Sequence, residues 1–184
     1  MKAVQINAYG GVEVLEINAH AVVPVPKNNQ LLVEVHAVGL NPIDYKVRAG
    51  YLQKMAPLSF PATLGGDFAG VITKLGAGVT EFNVGDQVYG SAHILNGGSG
   101  SLAEIAAANI ANTARKPKAL NFIETASLPL VGSSAIQALE EHIKLQKDQK
   151  ILIHGGAGGI GSIAIQLAHS LGAQVATTVN GKDK

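Results

Sequence analysis

Apolar and polar positions follow two different periods along this chain. In Gln30–Gly39 the residues Val33, Val35 and Ala37 alternate with Glu34 and His36, a period of two that predicts a strand with one buried and one wet face. Segments 68–75 and 87–89 predict further strands, and Gly85-Asp86 is set between apolar runs as a turn. From residue 1 to about 108 such short runs are broken by Gly, Pro and Asn, the grammar of an antiparallel β-rich unit. One helix is predicted there. Asn41 is its N-cap, Pro42 takes the first helical position, Asp44 lies in the first turn and Gly50 is the stop.

From residue 109 to 184 the period lengthens. Segments 122–127 and 133–141 suit short helices, and Lys150–His154 reads as a buried strand of continuous apolar residues. Ile160, Ile163, Ala164, Leu167 and Leu171 then fall at helical spacing, Gly172 follows as a stop, and 174–179 is rich in β-branched residues. Strand, turn, helix and strand make a βαβ unit. The predicted organisation is a β-rich domain over 1–108 followed by an α/β domain over 109–184, with no internal repeat or long linker.

The turn inside that βαβ unit carries the candidate chemistry. In His154-Gly155-Gly156-Ala157-Gly158-Gly159-Ile160-Gly161, the residues Gly156, Gly158 and Gly161 stand at G-x-G-x-x-G spacing between a strand and a helix. The first glycine is expected to permit the tight turn, the second to let the backbone approach a pyrophosphate, and the third to let the helix pack on the sheet. The helix N-terminus then offers free N–H groups and a partial positive charge to the phosphates. An acidic residue about 20 positions on would hold the ribose 2′-hydroxyl of NAD. Here the second strand leads into Asn180-Gly181-Lys182-Asp183-Lys184. A neutral Asn near the ribose and two lysines within reach of a 2′-phosphate favour NADPH.

Composition narrows the partners. With 47% hydrophobic and 15% charged residues among 184, the chain can bury a core and is not disordered. Its formal charge is +1, from 14 basic and 13 acidic residues, which gives no field to attract nucleic acid or an anionic membrane. A small-molecule partner is expected. Cysteine is absent, which excludes disulfides, thiolate nucleophiles and a cysteine-ligated zinc. No stretch reaches about 18 consecutive apolar residues and no signal-peptide core opens the chain, so a soluble cytoplasmic protein is expected. The six histidines include no pair at the short spacing of a helical metal site.

Four segments together resemble the zinc-independent quinone oxidoreductases of the medium-chain dehydrogenase/reductase superfamily. They are Gly39-Leu40-Asn41-Pro42-Ile43-Asp44, Pro61-Ala62-Thr63-Leu64-Gly65-Gly66-Asp67-Phe68-Ala69-Gly70, Val84-Gly85-Asp86-Gln87-Val88, and the glycine turn with Ile165-Gln166-Leu167-Ala168 after it. The resemblance spans the chain. It implies a GroES-like substrate domain, a Rossmann domain with a catalytic cleft between them, and NADPH-dependent reduction of a quinone or an activated alkene, with 2-alkenal or enoyl reduction as the alternative. It also implies cofactor contacts at Asn41, at Ser134 where many members have Thr, at the backbone of Ala157, Gly158, Gly159 and Ile160, and at Asn180 and Lys184 for the adenosine end. Tyr45 and Tyr51 are the aromatic candidates for the substrate pocket. The zinc branch carries Gly-His-Glu where this chain has Gly65-Gly66-Asp67, so no zinc is expected, and the resemblance implies NADPH without flavin. Hydride transfer would be direct, and no catalytic acid is assigned.

Asn41 and Ser134 each have a rival role as helix caps. The resemblance further implies about six parallel strands in a complete Rossmann domain, of which the pattern here supplies two. The expectation is therefore an N-terminal part of such a reductase or a noncatalytic dinucleotide-binding fragment. A homodimer, common in the family, would cover the sheet edge.

Overall fold

The computed structural model describes residues 1–183 and falls into two units, Met1–Pro129 and the residues from Leu130 onward.

The first unit is built on a five-stranded antiparallel sheet in the order β7-β3-β5-β6-β8. Its strands are β3 (Gln30–Gly39), β5 (Asp67–Leu75), β6 (Gln87–Ser91), β7 (Ile105–Asn109) and β8 (Thr113–Arg115). The two long strands pair from Leu31↔Leu75 to Gly39↔Asp67. Leu31 and Val33 of β3, Phe68 and Ile72 of β5, and Val88 of β6 are fully buried between them, each side chain contributing about 1.5–3 kcal/mol by leaving water. The alternation expected for β3 holds from Glu34 onward, whereas Gln30 to Val33 are buried on both faces. The β3–β5 register shifts between Val35 and Ala37, leaving His36 unpaired in the ladder. Its ring stacks on Phe122 with centroids 4.5 Å apart.

A second antiparallel sheet of this unit joins β1 (Ala3–Ile6) to β2 (Glu16–Asn18) and β4 (Ala62–Thr63). Ile6, Ala62 and Leu64 pack there with Val47 of helix α1 (Pro42–Arg48), the helix predicted from Asn41 and Pro42. Helix α2 (Phe122–Ala126) packs on β3 and β5.

The first unit therefore ends after Pro129 rather than near residue 108. Asn109 closes β7, and β8 extends the same sheet. Arg115 fastens it, donating to Asp86 at 2.6 Å and lying 5.5 Å over the Phe82 ring. Helix α3 (Pro129–Ile136) begins before the predicted segment and runs on as a π-helical turn, Gln137–His142.

In the second unit β9 (Lys150–His154) and β10 (Gln174–Thr178) pair in parallel, from Lys150↔Gln174 to His154↔Thr178. Helix α4 (Gly159–Ser170) connects them and buries Ala164 and Ala168 against Ala135, Leu139, Leu145 and Ala173. The continuous burial expected of β9 is replaced by alternation. Ile151 and Ile153 face this core, while Leu152 on the other face is 55% exposed, because the unit's helices cover one face of the two strands.

Candidate dinucleotide-binding site

β9 delivers the chain into the glycine turn, and the turn is tied to the end of β10. The N–H groups of Gly155 and Gly156 both donate to the Thr178 main-chain oxygen at 3.0 Å, and the N–H of Gly158 closes the loop onto Gly155 O at 2.9 Å. The left-handed residue that reverses the chain is Gly155, at φ +71°. The first motif glycine has a different task from the one expected, since a Cβ on Gly156 would stand 2.2 Å from Thr177 Oγ1. Gly161 permits a second close approach. A Cβ there would lie 2.3 Å from Gly155 O, so only a glycine lets the first turn of α4 rest on the loop.

The helical ladder of α4 begins with Ser162 N–H donating to Gly158 O at 2.9 Å. The N–H groups of Gly159, Ile160 and Gly161 precede it and have no acceptor within the helix. Gly158, the N-cap, carries no side chain to satisfy them. A pyrophosphate fits this cradle: glycines keep it open, main-chain donors line it, and the helix dipole favours an anion.

The other predicted contacts are distributed between the units. Ser134 belongs to the second unit, where its hydroxyl donates to Leu130 O at 2.7 Å within α3. Its oxygen keeps acceptor capacity. α3 comes close to the turn, since a Cβ on Gly159 would meet Val131 Cγ1 at 3.4 Å. Asn180, two residues beyond β10, is exposed, and its Oδ1 accepts from Lys182 N–H at 3.5 Å. Lys184 lies outside the described residues. In the first unit Tyr45 on α1 and Tyr51 just after it are 48% and 72% exposed.

Asn41 follows β3 in the first unit. Its N–H donates to Asp44 Oδ2 at 2.7 Å and its Nδ2 to Asp67 Oδ2 at 2.9 Å. Burial pushes the Asp44 carboxyl above its ordinary range, against the Asn41 hydrogen bond and the charge of His93, which both favour ionisation. Burial likewise holds the His93 imidazole below its ordinary value, with Asp44 opposing. Among the described residues no group of three or more His, Asp or Glu side chains could hold a metal ion, and no helix is long and apolar enough to cross a membrane.

Residues 27–118 match the alcohol dehydrogenase GroES-like domain. The chain belongs to that family. Within the medium-chain dehydrogenase/reductase superfamily, this GroES-like protein falls with the quinone oxidoreductases. It is 42% identical over 189 residues to 2-methylene-furan-3-one reductase of Solanum lycopersicum, covering 99% of this chain and 48% of that protein. Quinone oxidoreductase of Coxiella burnetii superimposes with a TM-score of 0.86 at 38% identity, over 100% of this chain and 57% of the other. Escherichia coli quinone oxidoreductase complexed with NADPH gives 0.84 at 30% identity, over 99% and 54%. The chain thus spans about half the length of the relatives it matches.

Reading the sequence of this GroES-like protein did not single out Asp67 or His93 as partners in the polar group around Asn41. A signal was present for Asp67, since a carboxylate opening an otherwise apolar strand must find donors once buried. His93 stands 49 residues beyond Asp44, and only the fold brings them within electrostatic reach.

Proposed function

We propose that this protein binds NADPH at the glycine turn and reduces a quinone, or a related activated carbonyl or alkene, without metal or flavin. The observation that carries this reading is the cradle at Gly156–Gly161, where two glycines stand at contacts no side chain could occupy and the first N–H groups of α4 are left for an anion. The kinship supports it, since one structural relative is a quinone oxidoreductase complexed with NADPH. The similarity to 2-methylene-furan-3-one reductase favours an enone or 2-alkenal as the second acceptor class.

On this reading the backbone of Ala157, Gly158, Gly159, Ile160 and Gly161 holds the pyrophosphate. Asn41 and Ser134 hydrogen-bond the nicotinamide half, and Asn180 with Lys184 takes the 2′-phosphorylated adenosine end. Tyr45 and Tyr51 line the substrate pocket. NADPH, when bound, supplies the hydride. The chain's own residues contribute orientation, which is worth most when no covalent step is available. The first unit serves as the substrate-side domain and the second as the start of the dinucleotide-binding domain. A cytoplasmic homodimer completes the reading.

Oxidation of NADPH, followed by its absorbance with 1,4-benzoquinone and with 2-alkenals, tests this. Turnover with either acceptor and a preference for NADPH over NADH are expected. NADPH binding without turnover would leave a noncatalytic dinucleotide-binding module, tighter NADH binding would overturn the cofactor, and a stoichiometric zinc would overturn the metal-free mechanism.

A further inference from the structure

Asn41 is half-buried between β3 and α1, and two buried carboxylates grip it. Asp67, 3% exposed, accepts from its side-chain Nδ2, and Asp44, 8% exposed, accepts from its main-chain N–H. An asparagine amide has a donor end and an acceptor end, whereas a carboxylate only accepts. Opposite Asp67 the amide must therefore present its NH2, and Oδ1 is turned to the other side. On that side the capping box of α1 sets Oδ1 facing the N–H of Asp44, which also donates to the Asn41 main-chain oxygen at 2.9 Å. A carbonyl oxygen has two lone pairs, so Oδ1 retains capacity for a donor from outside.

The surroundings make this orientation hard to reverse. His93 is buried beside Asp44, and its Nδ1 accepts from Leu95 N–H at 3.2 Å, which places the proton of the neutral ring on Nε2. Gly66, directly before Asp67, has no side chain where the imidazole lies, since a Cβ there would come within 3.1 Å of His93 Cδ2. Asp44 Oδ1 is buried without a protein partner, so the group holds an uncompensated acceptor, and a second one aimed inward from Asn41 would add to that cost.

We propose that Asp67 is a positioning residue for the cofactor. It fixes the Asn41 amide so that Oδ1 accepts from the carboxamide N–H or a ribose O–H of the nicotinamide half of NADPH. This rests on the reading of Asn41 as a cofactor contact. Asp67→Asn keeps the size of the side chain but can donate to Oδ1, which lets the Asn41 amide turn over.

The test combines NADPH titration by fluorescence with NMR of the 15N-labelled Asn41 side-chain amide, on variants shown to be folded by circular dichroism. Asp67→Asn and Asn41→Ala are each expected to weaken NADPH binding roughly tenfold, the scale of one neutral hydrogen bond. The double variant should lose no more than either single one, because both remove the same contact. Asp67→Glu should recover part of the affinity, and the Asn41 amide protons are expected to exchange slowly in the parent protein and fast in Asp67→Asn. If Asp67→Asn binds NADPH like the parent while Asn41→Ala does not, the positioning role is overturned and the cofactor contact stands. Unchanged affinity in Asn41→Ala would overturn the contact itself. Parent protein that does not bind NADPH would overturn the proposed function.

Discussion

In the first unit β3 and β5 bury Leu31, Val33, Phe68 and Ile72 completely, and the pair they form has a neighbouring strand on each side. In the second unit β9 and β10 half-bury only the side chains turned toward α3 and α4, and four of the six buried core residues are alanines. Over the opposite face lies an open hollow of about 540 Å³ lined by Leu152, Val175 and Ala176 among others. The candidate phosphate cradle is thus carried by the less buried unit, while the preorganised polar cluster around Asn41 sits in the better packed one. Free energy for holding a geometry comes in the first case from backbone hydrogen bonds between the turn and Thr178, and in the second from burial around two carboxylates. Segments with few buried apolar contacts open more readily, so a ligand at the turn would stabilise its own site by mass action.

The sharpest way to break this comparison is to cut one large apolar side chain in each of the two sheets back to alanine. Phe68→Ala should cost about 3–5 kcal/mol, read as a lower denaturant midpoint, whereas Leu152→Ala should stay within about 0.5 kcal/mol. Similar losses at the two positions would show that the units are not packed differently. Gly161→Val comes next, because its side chain would be driven into Gly155 O. Overpacking of this kind costs about 1–3 kcal/mol, and hydrogen exchange should place the loss in β9, the turn and α4 while β3 and β5 keep their protection.

A pH effect of smaller size is expected in the first unit. The buried His93 imidazole resists protonation, so as the pH falls through the ordinary histidine value near 6.5 the unfolded chain gains a proton that the folded one refuses. That contribution to stability is present above this pH and lost below it. Asp44 has the opposite sign: with its carboxyl raised by burial, stability is favoured at low pH and declines as the pH rises through the folded value. His93→Asn should therefore flatten the decline below pH 6.5, by less than about 1.4 kcal/mol per pH unit, the limit for one proton. Denaturant midpoints measured from pH 5 to 8 check it, and an unchanged slope would remove His93 from the account. A local effect is expected of Asn121→Ala. It deletes the N-cap of α2, where Asn121 Oδ1 accepts from Glu124 N–H at 2.9 Å and Glu124 answers with the Asn121 N–H at 2.9 Å, and about 1 kcal/mol should be lost by thermal melting.

Elements with a strong local signal were legible in the sequence, and those decided by distant partners were not. The bounds of β3 and β9, the cap and stop of α1, and the strand–turn–helix setting of the glycines all follow from spacing within a few residues. β7, whose sequence is Ile-Ala-Ala-Ala-Asn, has no such pattern and is a strand because β3 pairs with it. The unit boundary was displaced for the same reason: β8 and α2 are held by Arg115 on Asp86 and by Phe122 on His36, contacts that no local period reports. At the candidate site the cradle was visible as a motif. The division of labour among its glycines was not, because it depends on Thr177 and Thr178 some 20 residues later. Asp67 and His93 joined Asn41 only once β5 and the segment after β6 were in place.

The central claim, that the turn at 154–161 receives the phosphates of a dinucleotide, is tested most directly by NMR of the backbone amides during titration with 2′,5′-ADP, which carries the 2′-phosphate and the adenosine-side phosphate of the pyrophosphate without the nicotinamide. Saturating shifts at Ala157, Gly159, Ile160 and Gly161, abolished in Gly161→Val, are the result expected. Shifts confined to other parts of the chain, or none at those four amides at any ligand concentration, would contradict it.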